Sequence, residues 1–464
     1  MTSNQTSLPP QPISPLDGRY RAAVAALGDH LSEAGLNRAR VHVEVEWLAY
    51  LTEHSLLGGK PVAADTLQKL RDWAKNFGQT EIDQLAETEA VTQHDVKAVE
   101  YLVREQLEKL GLEAYAELTH VCCTSEDINN LSYALTIKAA TKDVWLPKLR
   151  SVISELHRQA NEYRDVAMMS RTHGQPATPT TLGKEIAVFV HRLNRQLQQI
   201  EKIEYLGKFS GATGNFAAHL AADPTAQWLT ISREFVEGLG LTWNPLTTQI
   251  ESHDWQAELY TRIAHTNRIL HNLATDIWSY ISIGYFRQIP VAGATGSSTM
   301  PHKVNPIRFE NAEANLELSN AILDSLAATL VTSRWQRDLT DSSAQRNIGV
   351  GFGHSMLALD NILKGLAQID ADVETISADL DANWEVLAEA IQTVIRAEVT
   401  AGRSNIKDPY AALKDLTRGR RIGQNELTEF VNDLDIGEEA KTRLLSLTPA
   451  TYTGVSAELV DLLG

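Results

Sequence analysis

Leu182, Ile186, Val190, Leu193, Leu197, Ile200 and Ile203 recur at steps of three and four. That spacing puts them on one face of a helix, and an apolar face of this length must be buried against other helices. Trp255, Leu259, Ile263, Leu270, Leu273, Ile277 and Ile281 form a second stripe. Ile128, Leu131, Leu135, Ala139, Leu146, Leu149, Val152, Ile153 and Leu156 form a third, and 307–331 and 350–366 extend the series. Helices near or above about 25 residues predict an elongated all-α bundle rather than a globule, with apolar faces shared between subunits.

The flanks read differently. Residues 20–110 predict medium helices broken at Gly58-Gly59-Lys60-Pro61 and near Gly78, and residues 1–15 a flexible arm. Gly207, Gly211 and Gly214 predict a turn or short hairpin over 207–215. Past residue 370 the helices shorten, and 402–409 precedes a small C-terminal domain. With 464 residues the chain exceeds one compact core. Three domains are expected, over 1–115, 116–368 and 369–464.

Composition narrows the function. A net charge of −17 speaks against non-specific binding to nucleic acid or an anionic membrane. No run of about 18 apolar residues predicts a membrane span. The N-terminal residues lack the apolar stretch of a signal peptide. Cys122 and Cys123 are adjacent, a spacing that suits neither a disulfide nor a metal site, so a reducing, cytoplasmic location is expected. No Cys/His ligand set or His-Glu-x-x-His occurs, and no metal site is expected. Gly349-Val350-Gly351-Phe352-Gly353 lacks the preceding strand and the spacing of a dinucleotide loop.

Several polar constellations interrupt the stripes. Gly296-Ser297-Ser298-Thr299-Met300-Pro301-His302-Lys303-Val304-Asn305-Pro306 packs polar residues between two stiff Pro corners. A surface turn would look the same, but loops on rigid scaffolds also carry catalytic groups, and Lys303 and the helix start after Pro306 supply positive potential. His173, in Arg171-Thr172-His173-Gly174-Gln175-Pro176, sits in a non-helical turn among hydrogen-bonding groups and suits proton transfer. His94-Asp95 and Thr124-Ser125-Glu126-Asp127 read as helix starts, whose free N–H groups also accept anions. Arg334, Arg337 and Arg346, spaced by Ser and Thr, suit phosphate or carboxylate, or an internally ion-paired connection.

The run Ser297 to Pro306 resembles the signature of the fumarase/aspartase superfamily, Ser-Ser-x-Met-Pro-x-Lys-x-Asn-Pro. The blocks Asp17–Tyr20, Gln93–Tyr101, Thr124–Asn130, Arg171–Ala177 and Ser333–Arg346 are similar to those of the adenylosuccinate lyase family, in its enterobacterial branch, and the likeness runs from about residue 14 to about 420. The resemblance implies an all-α, three-domain fold with a long central bundle. It also implies a homotetramer with active sites shared between subunits and no cofactor. The implied reaction releases fumarate from adenylosuccinate, giving AMP, and from the succinylated carboxamide precursor SAICAR, giving AICAR. Ser297 matches the base and His173 the acid, although chemistry alone does not separate Ser297 from Ser298. Arg19, Tyr20, His94, Asp95, Val96, Thr124, Ser125, Gln249, Lys303, Val304, Asn305, Asn311, Arg337, Ser342 and Arg346 match substrate-binding positions. Argininosuccinate lyase and a crystallin-like structural protein on the same fold are the alternatives.

Overall fold

The apolar stripes fold as the helices their spacing predicts. The computed structural model describes residues 11–290, 300, 303–417 and 422–464. Residues 1–10 of the expected arm and Ser297 lie outside them. The chain begins with α1 (Arg21–Leu31), α2 (Glu33–Glu53), α3 (Ala64–Lys75), α4 (Gln79–Thr92) and α5 (Asp95–Lys109). α6 (Ser125–Ala139) continues through a π-helical stretch, Ala140–Trp145, into α7 (Leu146–Glu162). A hairpin of β1 (Ala167–Thr172) and β2 (Gln175–Thr181) leads into α8 (Leu182–Glu201), then β3 (Leu206–Gly207), α9 (Ala217–Ala222), α10 (Trp228–Gly238) and β4 (Thr242–Trp243). Next come α11 (Asp254–Ser282), β5 (Phe286–Gln288), α12 (Ile307–Leu330), α13 (Thr340–Gln345), α14 (Ile348–Leu366) and β6 (Ile369–Ala371). The last elements are short: α15 (Val373–Asp381), α16 (Ala388–Thr400), α17 (Pro409–Thr417), α18 (Gln424–Asp433), α19 (Glu438–Leu445) and α20 (Ser456–Val460).

Two glycine-rich segments take definite forms. Over 207–215 the chain makes the turn of the two expected forms, with the Gly214 N–H donating to the Gly211 carbonyl at 3.3 Å, while Leu206–Gly207 pairs in parallel with Thr242–Trp243, and a parallel partner must come from a distant segment. The Gly349–Gly353 run is helical, inside α14, where its glycines permit close packing: a Cβ on Gly351 would meet Leu323 at 2.9 Å, and one on Gly353 would meet Leu16 at 2.8 Å.

The chain divides into two compact units, one of residues 1–149, 196–268 and 314–360, the other of 150–195, 269–313 and 361–464. The division falls inside α7, α8, α11, α12 and α14. In the first unit, Val41, Val45 and Leu48 of α2 pack with Leu70 and Ala74 of α3 and Val99, Leu102 and Val103 of α5. Buried polar groups fix how its helices register. Trp145 Nε1 donates to Ser355 Oγ at 2.9 Å, Ser355 Oγ to Asn267 Oδ1 at 2.8 Å, and Asn267 Nδ2 to Ser319 Oγ at 3.0 Å. Such pairs are satisfied in one alignment only, because a slipped helix would strand buried donors. In the second unit, Leu387, Ile391 and Ile395 pack with Leu413, Leu427, Val431 and Leu444. Among the described residues no helix is long and apolar enough to cross a membrane.

Candidate active site

In the first unit the site candidates gather at helix ends. α5 starts at Asp95, capped by His94, whose Nδ1 accepts from the Lys97 N–H at 3.2 Å. The Asp95 carboxylate accepts the Val96 N–H at 2.8 Å with Oδ1. Its Oδ2 accepts Arg40 Nη2 at 2.8 Å and Arg346 Nη2 at 3.1 Å. Burial alone would raise the Asp95 carboxyl, but Arg40, the Val96 N–H and Arg346 together hold it below the usual carboxylate range. Val96 itself is buried and serves the core.

α6 starts at Thr124-Ser125, both half-buried, and the Thr124 N–H donates to Asp127 Oδ2 at 2.8 Å. Asp127 also accepts Ser210 N–H at 2.8 Å and lies 3.0 Å from Lys208 Nζ, both side chains fully shielded from water. This ties the loop after β3 to the start of α6. Gln249 Nε2 reaches that loop, donating to the Ala212 carbonyl at 2.9 Å.

Arg337 Nη1 lies 2.7 Å from Glu126 Oε1 of α6, and Glu126 accepts Asn129 Nδ2 at 2.8 Å. Arg346, after α13, adds Glu33 at 2.5 Å to its Asp95 contact, and borders a cleft of about 670 Å³ lined also by Asp17, Arg21, Asp29 and Ser32. Ser342 donates its N–H to Asp341 Oδ1 at 2.7 Å. Arg19 is exposed, its guanidinium 5.9 Å from the Tyr20 ring. Arg337 and Arg346 are thus ion-paired to carboxylates of α6, α2 and α5.

In the second unit, Thr172 pairs with Gln175, leaving His173-Gly174 as a two-residue hairpin loop. Both residues are left-handed, φ 54° and 74°, as the tight hairpin turns of this length demand. The turn holds His173 exposed at the hairpin tip. Arg171 anchors the hairpin through Asp379 of α15 at 2.6 Å, and Tyr285 Oη donates to the same Asp379 Oδ2 at 2.5 Å. Lys303 and Val304 are exposed ahead of α12, with the Lys303 N–H donating to the Met300 carbonyl at 3.1 Å. Asn305 and Asn311 are half-buried, Asn311 in the first turns of α12.

Sequence reasoning missed Arg40 and the linking roles of Glu126 and Asn129. Their signal was present: Arg40 adjoins the apolar Val41, Val43 and Val45 of α2, where a buried cation needs a partner. Among the described residues no His/Cys/Asp/Glu group has the arrangement of a metal site.

A model described as Lyase matches residues 18–321, and one described as Adenylosuccinate lyase C-terminal matches residues 333–453. The chain is 48% identical over 451 residues to the adenylosuccinate lyase of Escherichia coli strain K12, covering 97% of this chain and 98% of that one. The chain belongs to the adenylosuccinate lyase family. The Vibrio cholerae member is 48% identical and the Haemophilus influenzae member 46% identical, each with 97% of this chain and 98% of the relative covered.

The fold is shared with more distant solved structures. A fumarate lyase from Mesorhizobium sp. BNC1 superposes with a TM-score of 0.74 at 20% identity, covering 95% of this chain and 97% of that one. The 3-carboxy-cis,cis-muconate lactonizing enzyme from Pseudomonas putida superposes with a TM-score of 0.71 at 21% identity, covering 96% and 97%. The family member described here is thus a lyase on an all-α fold.

Proposed function

We propose that this chain eliminates fumarate from adenylosuccinate, giving AMP, and from SAICAR, giving AICAR, in purine nucleotide biosynthesis in the cytoplasm. The observation that carries this is the 48% identity to an adenylosuccinate lyase along essentially the whole chain. The gathering of Arg337 and Arg346, which flank α13, with Thr124 and Ser125 at the start of α6 in one unit supports it, because the substrate carries a phosphate and two carboxylates.

The proposed elimination needs a base, an acid and donors for the developing charge. Ser297 removes the proton beside a carboxylate. The resulting carbanion spreads its charge into that carboxylate, and Lys303 and Asn305 stabilise it; donors of this kind are often worth about 10²–10³ in rate. His173 protonates the departing nitrogen, worth about 10²–10⁴. Arg19, Tyr20, His94, Asp95, Val96, Gln249, Asn311 and Ser342 complete the substrate-binding set. The working form is a homotetramer whose subunits share each site, organised over domains 1–115, 116–368 and 369–464.

Incubating the purified protein separately with adenylosuccinate and with argininosuccinate, and following fumarate absorbance, tests the assignment. Fumarate from adenylosuccinate is expected; fumarate from argininosuccinate alone would overturn it.

A further inference from the structure

We propose that Arg40 is a positioning residue that holds two substrate-anion arginines, Arg337 and Arg346, at a set spacing. The inference rests on the functional reading above, in which those two arginines meet the substrate's anionic groups. Arg40 itself faces no solvent, its side chain being 2% exposed on α2.

A buried guanidinium must spend its charge on partners, and Arg40 spends it in three directions. Nη2 goes to Asp95 Oδ2 at 2.8 Å, Nη1 to Asn37 Oδ1 at 2.7 Å and Nε to Asn129 Oδ1 at 2.9 Å. Two of those partners lead onward. The Asp95 oxygen that Arg40 holds is the one that receives Arg346. Asn129, whose oxygen is committed to Arg40, must turn its amide nitrogen outward, and that nitrogen donates to the Glu126 oxygen that receives Arg337. One bonded chain therefore runs Arg346–Asp95–Arg40–Asn129–Glu126–Arg337.

The chain explains why the central residue is Arg. The guanidinium is planar, with donors fixed in a fork, so occupying Asp95 and Asn129 together dictates their relative placement. A Lys ammonium carries the same charge on a flexible stem and imposes no such angle. Arg346 is 40% exposed and Arg337 19% exposed at their side chains, so without these tethers each would sample several rotamers. Holding them beforehand lowers the entropy lost when an anion binds. The effect belongs to binding rather than to proton transfer.

The test uses full-length Arg40→Lys, Asn129→Leu and Arg71→Lys. Arg71 pairs with Glu46 elsewhere in the first unit and serves as control. KM and kcat for adenylosuccinate are measured alongside AMP affinity by calorimetry and thermal unfolding. Arg40→Lys and Asn129→Leu should each raise KM and the AMP Kd by about tenfold. Their kcat should stay within about threefold of the parent, with Arg71→Lys changing neither quantity. Combining Arg40→Lys with Arg346→Lys should raise KM by less than the product of the single effects, since both act through Asp95. If Arg40→Lys fails to fold, Asn129→Leu carries the same readout. KM and AMP affinity unchanged in the folded variants overturn the inference while leaving the enzyme assignment intact. A wild-type protein that neither binds AMP nor releases fumarate overturns both.

Discussion

Arg337 Nη1 lies 2.7 Å from Glu126 Oε1, with the Glu126 side chain only 6% exposed. Arg337 Nη2 lies 4.0 Å from Asp341 Oδ1, too far for a hydrogen bond. Replacing Arg337 by Lys keeps the charge and loses the fork. A charge-assisted hydrogen bond is worth about 1.5–3 kcal/mol, so KM for adenylosuccinate should rise by about 10- to 100-fold. Steady-state fumarate release at varied substrate checks this, and a KM within twofold of the parent would remove Arg337 from substrate binding.

His173 occupies a left-handed position in a two-residue hairpin loop. Asn tolerates that backbone well and cannot relay a proton near neutral pH. His173→Asn should therefore keep the parent's thermal midpoint and AMP affinity while kcat falls by about 10²–10⁴. Calorimetry and turnover on the same preparation separate the two effects. A kcat within tenfold of the parent would contradict the acid role.

Sharing of sites between subunits is tested by mixing two inactive variants. Ser297→Ala and His173→Ala preparations, dissociated and reassembled together, should regain activity if the proposed assembly draws the two residues of one site from different chains. No recovery in verified mixed assemblies would place both residues on one chain.

Lys208 and Asp127 form an ion pair shielded from water on both sides. Removing one partner strands the other charge, so Lys208→Met should cost about 3–5 kcal/mol. Urea unfolding measures the loss. A cost below about 1 kcal/mol would mean that the site admits water or that Asp127 takes up a proton.

His120 gives a pH dependence of known sign. Burial lowers its affinity for a proton, but Glu44 at 2.6 Å, helped by Glu100 and Asp127, outweighs burial, and the pKa lies above the ordinary 6.5. The folded state therefore binds the proton more tightly than the unfolded chain. This contribution is complete below pH 6.5 and is lost as pH rises through the folded value. Unfolding free energy measured from about pH 6 to about pH 8.5 should decline more steeply in the parent than in His120→Gln. Equal slopes would contradict it.

The helices were legible because burial writes itself into spacing: the stripe beginning at Leu182 becomes α8 and the one beginning at Trp255 becomes α11. The turn at His173 was legible from Gly174 and its flanking prolines. The parallel pairing of Leu206–Gly207 with Thr242–Trp243 was not, since two residues on each side leave no periodicity to read. The π-helical stretch Ala140–Trp145 was hidden for a related reason, as it continues the helical pattern on either side. At the site, motif residues such as Asp95 and Arg337 stood out, while Arg40 did not. Its importance depends on Asn129 and Asp95, which lie 89 and 55 residues away in sequence and meet it only in the fold.

Most directly, purified full-length protein is incubated with adenylosuccinate while fumarate is followed by absorbance and AMP by chromatography. Fumarate and AMP should appear in equal amounts, and Ser297→Ala should slow both by at least about 10². Absence of either product from the folded parent, or unimpaired release by Ser297→Ala, would contradict the account.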